Sequence, residues 1–427
     1  MNKENENIVD AWRAFLLLLP FIILINILSI YTWGYGIQNF LILFSIALWT
    51  AFGCLIPFRI MPSTKAIHTI IVFWISLFII LSFCTRQFIL LNQALKVPSS
   101  RVLIVDMAEN NLAASNRFFK YKQNPYSERC QLEKDISRVP HVSVNSKGTT
   151  IYGIPYRYGY TYFPMMFFVY TPVNMVIQNA NSIRITNAIL YILLIAGLFW
   201  MGQRCFKDKK KQYLTGFLSV LLLCAIKMWG AEIFILGITD IVISVFLLYS
   251  IILLSYRKEI LAGIFIGLAI SCKILPAPIV FIFIAIWMWK QGQRVRLFVI
   301  SALVTATVII LPFIIWNPYT FFSSTVLFYL VLHSLGDNTS LWNFLPEAVK
   351  GSFQFLGPLL VISCIIYAVK FHNKKLFFPA KMAFISYVLF VACYKITHLN
   401  FIWGIYSLGA FAFTAEAVNS SCKDSNE

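Results

Sequence analysis

Long uncharged apolar stretches recur along this chain, and they limit its fold more than any other feature. "FLLLLPFIILINILSIY" (Phe15–Tyr31), Phe40–Phe58 and Ile185–Gln203 are clear cases. Each approaches or reaches the ~18–20 residues that cross a hydrocarbon layer as a helix. Across all 427 residues, 59% are apolar and only 12% are charged, about half the charge of a soluble domain. The fold class expected is an all-α polytopic membrane protein, with no room for a separate soluble domain.

The net charge of +18 is a membrane signal before it is a nucleic-acid one. Lys and Arg gather in short loops: Lys207–Lys211, Arg257-Lys258, Lys290–Arg296 and Lys370–Lys381. That is the positive-inside pattern, and no DNA- or RNA-binding motif accompanies it. Most of the nine cysteines, including Cys54, Cys84, Cys224, Cys364 and Cys393, lie in apolar runs. There cysteine serves as a small hydrophobe. No C-x-x-C pair and no paired histidines suggest a metal. The opening "MNKENENIVDAWR" reads as a cytoplasmic tail before a retained helix.

Three parts follow from this pattern. Residues 1–92 form N-terminal membrane helices at roughly 14–33, 38–58 and 67–92. Residues 93–160 form a long polar outer loop, a length that in ordered form is usually functional. Residues 161–427 form the remaining bundle. Alternating the basic loops gives about 11–13 spans with both termini cytoplasmic. Residues 160–180 stay open between a full span and a re-entrant segment.

The run Ile260–Trp289 lies between two basic loops, so it must enter and return. As one helix it would be about 45 Å long, against ~30 Å of hydrocarbon. Two short helices meeting at "SCKILPAP" (Ser271–Pro278) fit better. Pro276 and Pro278 would supply the break, and Lys273 would lie at or near the far surface. The outer loop, Lys273, Gly336–Asn343 and Lys395–His398 should then share one side.

Four stretches carry chemistry. In "RVLIVDMAENNLAASNRFFKYKQNPYSE" (Arg101–Glu128), Asp106 follows an extended apolar tetrad and precedes a helix-like stretch. Asp106 suits a general base at a membrane surface or a simple helix N-cap. Glu109 lies one turn on, and Asn124-Pro125-Tyr126 ends the stretch. "GIPYRYGYTYFPMMFFVYTP" (Gly153–Pro172) is either an interfacial aromatic belt or a platform for sugar or lipid, with Arg157 facing a phosphate. In "WGAEIFILGITD" (Trp229–Asp240), Glu232 and Asp240 either serve a site or form a salt bridge with Lys227. "LGDNTSLWNF" contains Asn338, Thr339 and Ser340, a glycosylation sequon that better suits the lining of a substrate groove.

In this order and spacing, the stretches resemble glycosyltransferase family 87, within the GT-C superfamily of membrane glycosyltransferases. The family's D-x-x-x-x-x-x-A-A…G-x-x-P-Y is met by Asp106, Ala113-Ala114 and Asn124-Pro125-Tyr126, without the glycine. Its Y-x-Y-P-P-like element is met by Tyr160-Thr161-Tyr162-Phe163-Pro164. Its G-Q-x-N is met by Gly237-Ile238-Thr239-Asp240, which keeps the glycine and a polar last position. A-G-x-x-x-G-x-A-x-x-x-K-x-x-P is met by Ala262, Gly263, Gly267, Ala269, Lys273 and Pro276, and N-x-S by Asn338-Thr339-Ser340. The likeness covers roughly 100–345, and the two leading helices look like an addition.

The resemblance implies a GT-C-like bundle that moves a sugar, mannose or another hexose, from a polyprenyl phosphate to a glycan or lipid-linked acceptor. Configuration would invert, on the outer face of a bacterial plasma membrane. Asp106 would be the catalytic base, with Lys273 first and Arg157 second as partners of the donor phosphate. Glu109, Tyr126, Tyr160, Tyr162, Asp240, Asn338, Ser340 and His398 would line the substrate groove. No cofactor and no metal is implied, because the leaving group carries a single phosphate. The competing readings are a transporter or flippase of lipid-linked sugars, which shares broken helices and basic sites, and a structural subunit of an envelope complex.

Overall fold

The computed structural model describes residues 106–127, 160–225, 232–327, 345–353, 355–371, 373–394 and 400–420, with short pieces at 91–92, 95–96, 142–145, 148–151 and 154–155. The expected helices before residue 91 lie outside the described residues.

Among the described residues the first full element is α1 (Asp106–Ser115), which continues as a π-helical turn, Asn116–Lys120. A small antiparallel sheet follows, β1 (Val142–Asn145), β2 (Gly148–Ile151) and β3 (Ile154–Pro155), in the order β1-β2-β3. Nothing in the sequence reading anticipated it. The bundle then runs α2 (Pro164–Ile177), α3 (Asn181–Cys205), α4 (Lys209–Ala225), α5 (Ile241–Ser255) and α6 (Glu259–Ile270). It continues with α7 (Ala277–Lys290), α8 (Val295–Trp316), α9 (Pro318–Phe322) and α10 (Glu347–Phe353). It ends with α11 (Leu356–Lys370), α12 (Phe377–Cys393) and α13 (Asn400–Ser420). The all-α polytopic class holds.

Among the described residues four helices are long and apolar enough to cross a membrane: Asn181–Cys205, Val295–Trp316, Ala348–Lys370 and Phe401–Asn419. Six shorter apolar helices accompany them. At 14 residues, α2 is about 21 Å long, short of a ~30 Å layer.

The run Ile260–Trp289 divides between α6 and α7, and the cause is local. Pro276 offers no N–H and pushes Leu275 out of the helical region. Pro278 falls in the first turn of α7, where a missing N–H costs nothing. The turn is enclosed in protein, for Cys272 is fully buried and Lys273 is only 7% exposed. The Ser271 and Cys272 carbonyls accept the backbone N–H groups of Met165 and Phe163, both at 3.0 Å, so another segment covers the turn.

Burial sorts the helices into layers. The span within α13 is 78% buried, and α13 packs on α4, α5 and α12 at the centre of the bundle. The span of α8 is 22% buried and turns Ile300, Val304, Val308 and Ile315 outward. An outward apolar stripe on such a helix is a lipid-facing surface.

The helix pair α6–α8 depends on two small residues four apart. A Cβ on Gly267 would sit 2.5 Å from the Ala302 carbonyl oxygen and 2.8 Å from Thr305 Cβ, and one on Gly263 would strike Ser301 and the Phe298 carbonyl. Such close backbone approach is how small-xxx-small faces join membrane helices. Gly267→Val is expected to force the pair apart, at a cost of roughly 1–3 kcal/mol. A lower melting temperature in detergent, with a conservative change at lipid-facing Ile300 as control, checks this.

Candidate active site

The site is built on one short segment without regular secondary structure, Tyr160–Phe163. It enters α2 through an extended Phe163 and Pro164 at the first helical position, where proline's fixed φ suits the start. Its backbone is tied on both sides. Tyr160 N–H donates to the Pro125 carbonyl at 3.1 Å, and Phe163 N–H to that of Cys272 at 3.0 Å. The Tyr126 hydroxyl donates to the Tyr162 carbonyl at 2.8 Å. Asn124-Pro125-Tyr126, Tyr160–Pro164 and Ser271–Pro276, far apart in sequence, thus form one hydrogen-bonded unit.

The fourth piece joins through charge. Lys273 Nζ lies 3.0 Å from Asp240 Oδ1, with side-chain exposures of 8% and 1%. Asp240 immediately precedes α5, so the helix's positive end favours a carboxylate there. The ammonium also lies over the Phe401 ring, 4.7 Å from its centroid, and 5.7 Å from that of Tyr162. An ammonium carries three N–H donors. Among the described residues Asp240 takes one of them. Gly404 of α13 closes this side, its Cβ position 3.5 Å from Pro276 and 3.9 Å from Asp240 Cβ.

Asp240 was expected in the groove or bonded to Lys227. Lys227 lies outside the described residues, and the partner that the fold supplies for Asp240 is Lys273. Glu232 opens a π-helical turn, Glu232–Leu236. Tyr126 and Tyr160, expected along the groove, are 1% and 0% exposed. Their hydroxyls serve the Tyr162 carbonyl and Asn111 Oδ1. Tyr162 is the tyrosine whose ring meets Lys273. Asp106 is the first residue of α1, and Glu109 is half-buried on the same helix. Arg157, Asn338, Ser340 and His398 lie outside the described residues.

Sequence reasoning missed two groups of supporting residues. One fastens α1 to α2. Ser115 Oγ lies 3.0 Å from Thr171 Oγ1, and Asn174 Nδ2 donates to Ser115 Oγ and Asn116 Oδ1 at 3.2 and 3.0 Å. The other holds the strip that leads into Asp240. Asn187 Nδ2 donates to the Ile233 and Ile238 carbonyls at 2.9 and 3.0 Å, and its Oδ1 accepts from Tyr170. One turn earlier, the Arg184 guanidinium donates to the Ile235 carbonyl at 2.9 Å. The available signal was "NSIRITN" (Asn181–Asn187), a polar head on an otherwise apolar helix. Polar groups inside such helices are costly unless they are bonded.

Replacing Asn187 with Leu leaves two buried carbonyls and the Tyr170 hydroxyl without their partner. A loss of about 1–3 kcal/mol is expected, read as a lower thermal midpoint in detergent. A conservative change at lipid-facing Ile192, which is 63% exposed, should leave the midpoint in place.

A family model described as Glycosyltransferase family 87 matches residues 160–394. The match contains Tyr162, Asp240 and Lys273. No curated protein and no solved structure matches the chain.

Proposed function

Because the chain belongs to glycosyltransferase family 87, we propose that it moves a hexose, mannose first among the candidates, from a polyprenyl phosphate to a glycan or glycolipid acceptor, with inversion. Membership favours the enzyme over the transporter and the structural subunit. The observation that carries the donor class is the buried Lys273 ammonium. Among the described residues Asp240 takes one of its three N–H donors, and its turn is bonded to two other motif segments, at Phe163–Met165 and at Asp240.

In the proposed reaction Asp106 takes the proton of the acceptor hydroxyl as that oxygen attacks the anomeric carbon. The bond from that carbon to the phosphate oxygen breaks on the opposite face. The leaving polyprenyl phosphate gains negative charge there, and Lys273 neutralises it in a place from which water is largely excluded. Arg157 is the second candidate for the phosphate. The reading of Asp106, which precedes the matched residues, is supported by its place at the head of α1. Buried side-chain bonds tie that helix to α2, and the Tyr160–Asn111 bond ties it to the segment Tyr160–Phe163.

The donor's apolar chain has a fitting surface nearby. A crevice lined by Phe118, Phe168, Val308, Pro312, Phe313 and Trp316 opens beside α8. Ring contacts lead from it toward the lysine: Phe313 to Tyr126 at 5.7 Å, Tyr126 to Tyr160 at 5.7 Å and Tyr160 to Tyr162 at 5.6 Å between centroids. We place the reaction on the outer face, following the loop charges, and in a bacterial plasma membrane, following the family resemblance.

The test is transfer by the purified chain from polyprenyl-phosphate hexoses to glycan acceptors. Lys273→Met is expected to lower turnover by about 10²–10³-fold, and Asp106→Asn by about 10²–10⁴-fold. Undiminished transfer by Asp106→Asn would remove that residue from the chemistry. Absence of transfer with every such donor would sink the donor class.

A further inference from the structure

The outer face of α3 carries one ridge at four-residue spacing: Ile192, Ala196, Trp200 and Arg204. All four are exposed, Ile192 at 63% and Trp200 at 43%. The first three give about 12 Å of apolar surface along the helix, an ordinary contact for lipid chains. The fourth is a guanidinium in the last turn of α3, and it is held in place. Its central carbon lies over the Tyr256 ring, 4.1 Å from the centroid. Trp200 Nε1 donates to the Tyr256 hydroxyl at 2.5 Å, and the two rings meet edge to face at 5.7 Å. A helix end by itself favours a cation, but it calls for neither a ring beneath the cation nor an indole that fixes the ring.

Two more cations follow the ring in the chain. Arg257 has a φ of +57°, in the left-handed region. Its N–H donates to the Leu254 carbonyl, and that of Lys258 to the Leu253 carbonyl, both at 3.0 Å. In this way of closing a helix, glycine usually fills the left-handed position. Here an exposed arginine fills it, and an exposed lysine follows. Around this corner Arg204, Lys207, Arg257 and Lys258 outnumber the acids Asp208 and Glu259. Among the described residues Arg204, Arg257 and Lys258 join no ion pair.

We propose that Arg204, Tyr256, Arg257 and Lys258 bind the phosphodiester headgroup of an anionic membrane phospholipid, whose acyl chain lies along the Ile192–Trp200 ridge. Arginine meets phosphate through two parallel N–H groups, and a guanidinium stacked on a ring keeps its N–H edge for that contact. The apolar ridge that runs up to the arginine selects a lipid over a soluble anion. The inference is independent of the transfer reaction. Helix α6, 12 residues long, separates Lys258 at its head from the Lys273 turn at its end by about 18 Å.

The test is lipid retention by the full chain, purified in a neutral detergent and followed by native mass spectrometry. The probes are dioleoyl phosphatidylglycerol, dioleoyl phosphatidylcholine, which has the same chains and no net charge, and glycerophosphoglycerol, the first headgroup without chains. Phosphatidylglycerol should bind about tenfold more tightly than either of the others. Arg204→Gln should weaken phosphatidylglycerol by about tenfold and leave phosphatidylcholine unchanged. Trp200→Leu keeps every charge and the apolar ridge but removes the bond that orients Tyr256. It should weaken phosphatidylglycerol by about threefold or more. The control is Lys290→Gln, which removes another exposed cation, 5.0 Å from the Trp289 ring centroid at the end of α7, and should change nothing. Equal binding of the two lipids, or equal losses in Arg204→Gln and Lys290→Gln, overturns the site, because the attraction is then absent or diffuse. Glycerophosphoglycerol bound as tightly as the lipid overturns the membrane source. An undiminished affinity in Trp200→Leu overturns the role of the Tyr256 platform.

Discussion

The ion pair between Asp240 and Lys273 is the contact on which the site depends. Each charge is held out of water at a cost of several kcal/mol, and each is tolerable only because the other lies 3.0 Å away. Removing one partner from such a pair typically costs about 3–5 kcal/mol, because the other charge is left buried and alone. The pair joins the head of α5 to the turn between α6 and α7. Helix α13 lies over both, through Gly404 beside Pro276 and Asp240 and through the Ser244 hydroxyl, which donates to the Trp403 carbonyl at 2.6 Å. The position of the lysine is therefore fixed from more than one side.

Around that pair the chain uses irregular backbone, which a membrane protein tolerates only where other protein groups satisfy it. The piece Tyr160–Phe163 and the turn Ser271–Pro276 meet this condition by bonding to one another. The strip Ile233–Ile238 meets it through Asn187 and Arg184. Short helices follow from the same arrangement. At 12 and 14 residues, α6 and α7 stop where the lysine must be presented. A continuous helix would have spent the backbone groups of that turn on itself.

Much of this could be read along the chain. The apolar runs gave the helical class, and the basic loops flanking Ile260–Trp289 required a break that Pro276 located. The likeness in Asn124–Tyr126, Tyr160–Pro164, Gly237–Asp240 and Ala262–Pro276 picked out the segments that the fold brings together. The burial of the turn was not legible, since nothing in "SCKILPAP" shows that residues 163–165 will cap its carbonyls. Nor was the division of labour among the tyrosines. Tyr126, Tyr160 and Tyr162 look alike in a motif, but the first two spend their hydroxyls inside the protein.

Sequence by itself determined a helical membrane chain, the place of its broken helix and the residue types at its chemical centre. Hydrophobic length, loop charge and proline are local properties, and each acts on a few neighbouring residues. Tertiary structure alone decided that Asp240 answers Lys273, that Asn187 and Arg184 hold the strip before Asp240, and that Lys273 is enclosed. Those outcomes depend on which segments come within 3 Å or so of one another. Residues 33 positions apart, as Asp240 and Lys273 are, become partners only when three helices have packed to exclude water between them.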